Sequence, residues 1–166
     1  GDWSDNRVVP DCIKAWLNKR KPDIRNPKST RPWQHVLEVV AGYMLLAVKL
    51  SRNKNLNGEI FNFGPSNRRN YTVLELINQL KKNWPEINWR LKKTKNNFFE
   101  SKLLKLNSNK AKKIIKWTTI LNFNETCKLV SDWYKNFTLN KQRMYELSSK
   151  QIDFFSNFFE KRINKK

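Results

Sequence analysis

From Val36 to Leu50 apolar residues recur at intervals of three and four: Val36, Leu37, Val39, Val40, Tyr43, Met44, Leu46, Ala47 and Leu50. That spacing gathers side chains on an α-helix of about four turns. Asn53 to Gly58 is a polar loop, and the pattern then changes. Glu59-Ile60-Phe61-Asn62-Phe63 alternates and is closed by Gly64-Pro65, the punctuation of a strand. The helix reads as buried, and strands alternating with helices mean an α/β fold.

The remaining elements fit that class. Asn6 to Asn18 carries Val8, Val9, Cys12, Ile13, Ala15, Trp16 and Leu17 near the helical period, with Lys19-Arg20-Lys21 suited to a helix C-terminus and Pro22 stopping it. Asp23-Ile24-Arg25 reads as a short extended piece. Thr72-Val73-Leu74-Glu75 matches a capping box and predicts a helix to about Trp84. Asn88 to Leu91 and Leu103 to Leu106 predict short strands around a polar loop, Thr94 to Glu100, and Ser108 is expected to cap a short helix through Ile115. Asn122 or Asn124 can cap a helix with an apolar face of Phe123, Cys127, Val130, Trp133, Tyr134 and Phe137, whose docking partner the pattern leaves open. A last helix, Gln151 to Ile163, carries a broad aromatic face that a monomer would need to cover.

With 166 residues and 39% hydrophobic content, the chain can form one domain with a real core. No run approaches the ~18 apolar residues of a membrane-spanning helix. Gly1-Asp2-Trp3-Ser4 lacks the features of a signal peptide and has no initiator Met, so we expect a piece of something longer. Cys12 and Cys127 follow no metal-ligand or redox spacing, which favours a reduced, cytoplasmic setting. Lys and Arg number 34 against 14 acids, a net charge of +20 that on its face suits nucleic acid. The bases are scattered in short pairs over different elements, however, and accompany abundant Asn. A drift in composition that fills solvated faces accounts for them, with nucleic-acid binding as the alternative.

Read in order, several segments carry a resemblance. They are Gly1-Asp2-Trp3, Asp5 to Ile13, Ile24-Arg25-Asn26-Pro27, Arg31-Pro32-Trp33-Gln34-His35-Val36-Leu37-Glu38, Gly42-Tyr43, Phe61-Asn62-Phe63-Gly64-Pro65, Glu100 with Leu103 to Ser108, and Trp133-Tyr134-Lys135. Together they resemble the C-terminal half of the extended short-chain dehydrogenase/reductase enzymes that modify nucleotide sugars, in particular the CDP-glucose 4,6-dehydratase branch. The resemblance implies the C-terminal substrate-binding part of a Rossmann-type NAD(P)-binding fold, mostly helices with a few short strands. It places a substrate-binding region at 1–138 and a C-terminal helical extension at 139–166. NAD, the catalytic Tyr-x-x-x-Lys and the Rossmann region would lie upstream of Gly1. Consistently, Gly1, Gly42, Gly58 and Gly64 cannot make a dinucleotide-binding turn, and Tyr43, Tyr71 and Tyr134 lack a Lys four residues on.

The implied function is the substrate-binding half of an NAD-dependent hydro-lyase that converts CDP-glucose to CDP-4-keto-6-deoxyglucose in deoxysugar and polysaccharide biosynthesis, homo-oligomeric when complete. Another NDP-sugar dehydratase or epimerase of the family is the near alternative. No catalytic residue is expected within the chain. A diphosphate calls for the planar fork of Arg, and Arg7, Arg25 and Arg31 are the candidates. The resemblance puts Arg31 on the diphosphate, Ile24 and Arg25 beside the base and ribose, Pro10 and Asp11 near the sugar, and Glu100 over the nucleotide end. Asp11 equally suits the first turn of its helix, and each Arg could be a surface residue. His35, the one histidine, is read as structural. In the family, Glu59 to Phe63 pairs in the main sheet. We therefore expect an unpaired strand edge and exposed apolar helix faces here, and a chain prone to aggregate or to fold only in part.

Overall fold

The computed structural model describes residues 2–66, 69–92 and 104–163. Helix α1 spans Val8–Leu17 and opens on Arg7, whose extended backbone forms the N-cap, with Asp11 in the first turn. It ends earlier than its charge pattern suggests. Asn18 is the C-cap and Lys19 takes a left-handed φ of 54°, so Lys19 to Lys21 lie in the turn beyond the helix. That turn delivers β1, Asp23–Ile24, which pairs in parallel with β4, Arg90–Leu91. A second ladder, unforeseen from sequence, joins β2, Thr30–Arg31, to β3, Tyr71–Thr72, in antiparallel register.

Helix α3, Val73–Asn83, leaves β3 directly, because Thr72 ends the strand and caps the helix at once. The capping box is complete. The Glu75 amide donates to Thr72 Oγ1 at 3.2 Å, and the Thr72 amide donates to Glu75 Oε2 at 2.8 Å. Asn122 and Glu125 make the same reciprocal pair at the start of α4, Phe123–Leu139. Phe123 and Cys127 of α4 pack on Leu76 and Leu80 of α3 and on Ile87, which identifies the partner of α4. Cys12 of α1, Ile24 of β1 and Val73 and Ile77 of α3 form an adjoining cluster, with Ile77 fully buried. Each such side chain contributes roughly 1.5–3 kcal/mol through burial.

Helix α2, Val36–Arg52, forms over the predicted span, but it is not a buried helix. Only Glu38 and Gly42 are buried in it, while Val36, Val40, Tyr43, Met44 and Val48 are exposed. The helix meets the molecule along one stripe, and its second apolar stripe faces outward. Glu38 anchors the inner side. Its Oε1 accepts from the amides of Ile120 at 2.7 Å and Leu121 at 2.6 Å, and its carbonyl accepts from Trp117 Nε1 at 3.2 Å.

Residues 59–63 are not a strand, because a ladder needs a neighbour and none lies alongside among the described residues. Phe63 is nevertheless buried against Leu56, Ala111, Ile115 and Trp117. No strand forms at 104–106 either, while Leu103 and the loop Thr94 to Glu100 fall outside the described residues. Ser108 does not cap a helix with its side chain. Its hydroxyl accepts from the Gly64 amide at 2.8 Å and bonds the Gly64 carbonyl at 3.1 Å, and the turn that follows, Ala111–Ile115, is π-helical.

Helix α5, Met144–Ile163, begins seven residues before the aromatic pattern does. It folds back on α4, with Trp133 Nε1 donating to Ser148 Oγ at 3.0 Å and Gln151 Nε2 to the Leu129 carbonyl at 2.8 Å. Half of its aromatic face is covered. Phe155 is buried with Ile120 and Leu121, and Phe159 packs against that cluster as do Leu37, Ala41 and Leu129, whereas Phe154 and Phe158 remain exposed. The beginning of the chain is tied to α4 as well, since Tyr134 Oη donates to the Asp2 carbonyl at 2.7 Å and accepts from its amide at 2.8 Å. No helix among the described residues is long and apolar enough to cross a membrane.

Candidate functional site

A groove of about 890 Å³ runs between α1 and the turn leading into β1, and reaches the end of β2. Its floor is Ile24, buried because β1 is pinned between α1 and α3. Asp11 faces it from the first turn of α1, Arg25 follows β1 directly, and Arg31 closes its end. Arg31 is half-buried, and its Nη1 donates to the Thr30 carbonyl at 2.8 Å. On its other side Arg31 borders a small dent lined by Tyr71, Arg69 and Lys105, so it stands on the ridge between two concavities.

Four of the residues singled out in the sequence, Asp11, Ile24, Arg25 and Arg31, thus line one groove. Arg7 does not join them. Its Nη1 donates to Asp2 Oδ2 at 3.1 Å, and its side chain is directed into that exposed pair. Pro10 is buried and lines a different cavity, because successive helix positions are about 100° apart around the axis and, of the two, Asp11 turns to the groove. Glu100 lies outside the described residues.

Sequence reasoning missed Arg20, Lys21 and Arg90, which line the same groove, together with Ser29. Arg20 and Lys21 had a sufficient local explanation as helix-terminal charges, and only the left-handed Lys19 redirects them. Arg90 reaches the groove through the β1–β4 ladder, where its Nε donates to Asp23 Oδ1 at 3.0 Å, with Lys92 Nζ 3.8 Å from Asp23 Oδ2. Asp23 is therefore already engaged, and the lining keeps an excess of guanidinium and ammonium groups. Such a groove suits a phosphate-bearing ligand laid over an aliphatic floor, with Arg forks able to bind phosphate oxygens in pairs.

A second, mostly apolar cavity of about 540 Å³ lies among α1, α3, α4, α5 and the start of α2, lined by residues such as Pro10, Trp33, Leu80 and Val130. His35 forms part of its wall. Its Nδ1 accepts from the Leu37 amide at 3.3 Å and so caps α2, and burial pushes its pKa down to about 4. With Nδ1 accepting as the cap, the neutral ring keeps its one proton on Nε2, and the imidazolium that a general acid would need is not the native form near neutral pH. Burial pushes the thiols of Cys12 and Cys127 up to about 12, which keeps both protonated, the nearby Asp11 charge adding to the effect at Cys12. Gln34 Nε2 is buried with no hydrogen-bond partner among the described residues. The described residues contain no cluster of His, Cys, Asp and Glu able to hold a metal ion.

No protein-family model matches the chain. It is 34% identical over 136 residues to a CDP-glucose 4,6-dehydratase of Salmonella typhimurium, a match covering 81% of this chain. The chain spans only 38% of the length of that relative. Among solved structures, a UDP-glucose-4-epimerase from Stenotrophomonas maltophila, with bound NAD, superposes with a TM-score of 0.68 at 13% identity, covering 83% of this chain and 42% of the epimerase. A UDP-glucuronic acid 4-epimerase from Bacillus cereus, in complex with UDP-glucuronic acid and NAD, gives 0.64 at 19% identity, covering 80% and 40%. A UDP-glucose 4-epimerase from Thermotoga maritima gives 0.64 at 22% identity, covering 83% and 42%. The chain is similar to a CDP-glucose 4,6-dehydratase over four-fifths of its length and has the C-terminal, mostly helical part of the extended short-chain dehydrogenase/reductase fold.

Proposed function

We propose that this chain is the substrate-binding part of a CDP-glucose 4,6-dehydratase, and that the groove between α1 and β1 holds the nucleotide. One observation carries the reading. The residues that the resemblance assigns to the nucleotide, Ile24, Arg25 and Arg31, line a single phosphate-suited groove with Asp11, in a chain 34% identical to such an enzyme. Arg31 clasps the diphosphate from the ridge, the Arg25 side chain and the β1 backbone border the base and ribose, and Asp11 accepts from a sugar hydroxyl. Arg20, Lys21 and Arg90 supply the surrounding positive field.

The chain's own part is to bind and orient. NAD would be held by a region these residues do not include, and would supply the hydride acceptor and donor for a reaction that turns CDP-glucose into CDP-4-keto-6-deoxyglucose and water. The same reading places the complete enzyme in the cytoplasm as a homo-oligomer.

Thermal melts with CDP test it. A ligand at about a hundred times its Kd protects by roughly 2.7 kcal/mol, and Arg31→Ala is expected to remove most of that shift. Protection unchanged in the variant would sink the role given to Arg31. The net charge of +20 supports a second reading, polyanion binding. It predicts duplex DNA affinity falling steeply with salt, and negligible binding at ~100 mM salt would dismiss it.

A further inference from the structure

Asn57-Gly58 is the one Asn-Gly pair in a chain with 22 asparagines. It fills the two central positions of a turn from Leu56 to Glu59. Asn57 sits at φ −65° and ψ 131°, Gly58 at φ 78°, and the Glu59 amide donates to the Leu56 carbonyl at 3.1 Å. These angles are those of a type II turn, whose second central position needs the left-handed backbone that glycine adopts freely. Both residues are exposed, and a Cβ on Gly58 would meet nothing within 4 Å.

Other exposed asparagines are held differently. The carboxamide oxygens of Asn53, Asn107 and Asn140 each accept the amide two residues on, at 3.0, 2.9 and 3.0 Å, which fixes the side chain. The Asn57 side chain and the Gly58 amide make no hydrogen bond among the described residues. The carboxamide carbon of one residue and the amide nitrogen of the next are thus both uncommitted, on a turn closed by one hydrogen bond.

We propose that Asn57 is a site of spontaneous covalent modification. Base removes the Gly58 amide proton, and the nitrogen attacks Asn57 Cγ. The new N–Cγ bond forms, the bond from Cγ to the carboxamide nitrogen breaks, and that nitrogen takes a proton from water and leaves as ammonia. Water then opens either carbonyl–nitrogen bond of the resulting succinimide, giving an aspartyl or an isoaspartyl residue. The attack is intramolecular, so the reacting groups are held at high effective concentration. Glycine adds no side chain to hinder the nitrogen, and the open space around it lets ψ of Asn57 rotate toward the attacking geometry. Either product carries a carboxylate, which lowers the net charge of +20 by one. The isoaspartyl form also adds a methylene to the main chain between Leu56 and Phe63, which pack in one cluster with Trp117.

The test is incubation of the 166-residue chain at neutral and at mildly alkaline pH, folded and in unfolding urea. Peptide mass spectrometry reads replacement of NH2 by OH at Asn57 and, for comparison, at Asn53 and Asn140. In the folded chain Asn57 should convert at least about tenfold faster than either, with a rate that rises with pH. That rate should stay within about tenfold of the rate in urea, because an exposed turn opens at little cost. Asn57→Gln, which requires a larger ring, should abolish the conversion. A smaller ratio at Asn57, a folded rate further below the rate in urea, indifference to pH, or conversion persisting in Asn57→Gln would overturn the proposal. None of these readouts involves CDP, so the nucleotide reading stands or falls separately.

Discussion

His35 makes the stability of this protein depend on pH in a calculable way. The residue is 7% exposed, its Nδ1 accepts from the Leu37 amide at the head of α2, and burial brings its pKa from 6.5 to about 4. The imidazolium has no lone pair left to accept that amide, so the native form is the neutral ring. A folded-state pKa below the unfolded value means that the contribution is complete above about 6.5 and is lost as pH falls through 6.5 toward 4. Between pH ~7 and pH ~5 the unfolded chain takes up nearly one proton that the native chain refuses, which costs about 2 kcal/mol. The groups that share its cavity and titrate, Asp2, Cys127 and Tyr134, do not change charge in that window by the shifts they carry. Urea unfolding followed by far-UV circular dichroism at about pH 7, 6 and 5 gives the slope. His35→Asn is the comparison, because Asn caps a helix well and does not titrate there. Wild type should lose about 2 kcal/mol more than the variant over that interval. Parallel pH dependences would refute the reasoning.

Two further substitutions probe the packing of α2. Glu38→Ala should cost about 3 kcal/mol, read as a shift in urea midpoint, since it orphans the buried amides of Ile120 and Leu121, with Glu38→Gln costing less. Gly42→Ala should destabilise by about 1 kcal/mol. Helix propensity gains about 1 kcal/mol, but the new Cβ would sit 2.6 Å from Phe63 Cδ1, on a ring held between Tyr43 and Trp117, and overpacking costs about 1–3 kcal/mol. A higher melting temperature in that variant would contradict the clash.

The parts of this fold that could be read from sequence are those whose physics is contained in a few consecutive residues. The Thr72–Glu75 box needs only four positions, and α2 declares itself by period. Period does not say how many neighbours a helix has, so two apolar stripes on α2 read as complete burial when one of them faces outward. The β2–β3 ladder joins two residues at 30–31 to two at 71–72, too few to show alternation. Glu59 to Phe63 shows alternation without a ladder partner among the described residues, which is a preference rather than a strand. In the groove, Asp11, Ile24, Arg25 and Arg31 were named through resemblance, and the grouping with Arg20, Lys21 and Arg90 depends on the Lys19 turn and the β1–β4 register, neither of which is local. Arg7 is a diphosphate candidate by its guanidinium and Pro10 a sugar neighbour by resemblance, whereas the helix start directs Arg7 to Asp2 and Pro10 to the second cavity, away from the groove that Asp11 lines.

The engagement of Asp23 by Arg90 and Lys92 has a kinetic consequence. With that carboxylate occupied, the groove presents cations to the solvent on a molecule of net charge +20, and an anion is drawn in before it touches any side chain. Association rates for phosphate compounds should then fall as salt shortens the Debye length from about 30 Å at 0.01 M to about 8 Å at 0.15 M. Dissociation, governed by the contacts made after arrival, should change far less. Two ligands with the same phosphates would arrive at the same rate and differ only in how long they stay, so under the proposed function selectivity among nucleotide sugars would be found in residence time.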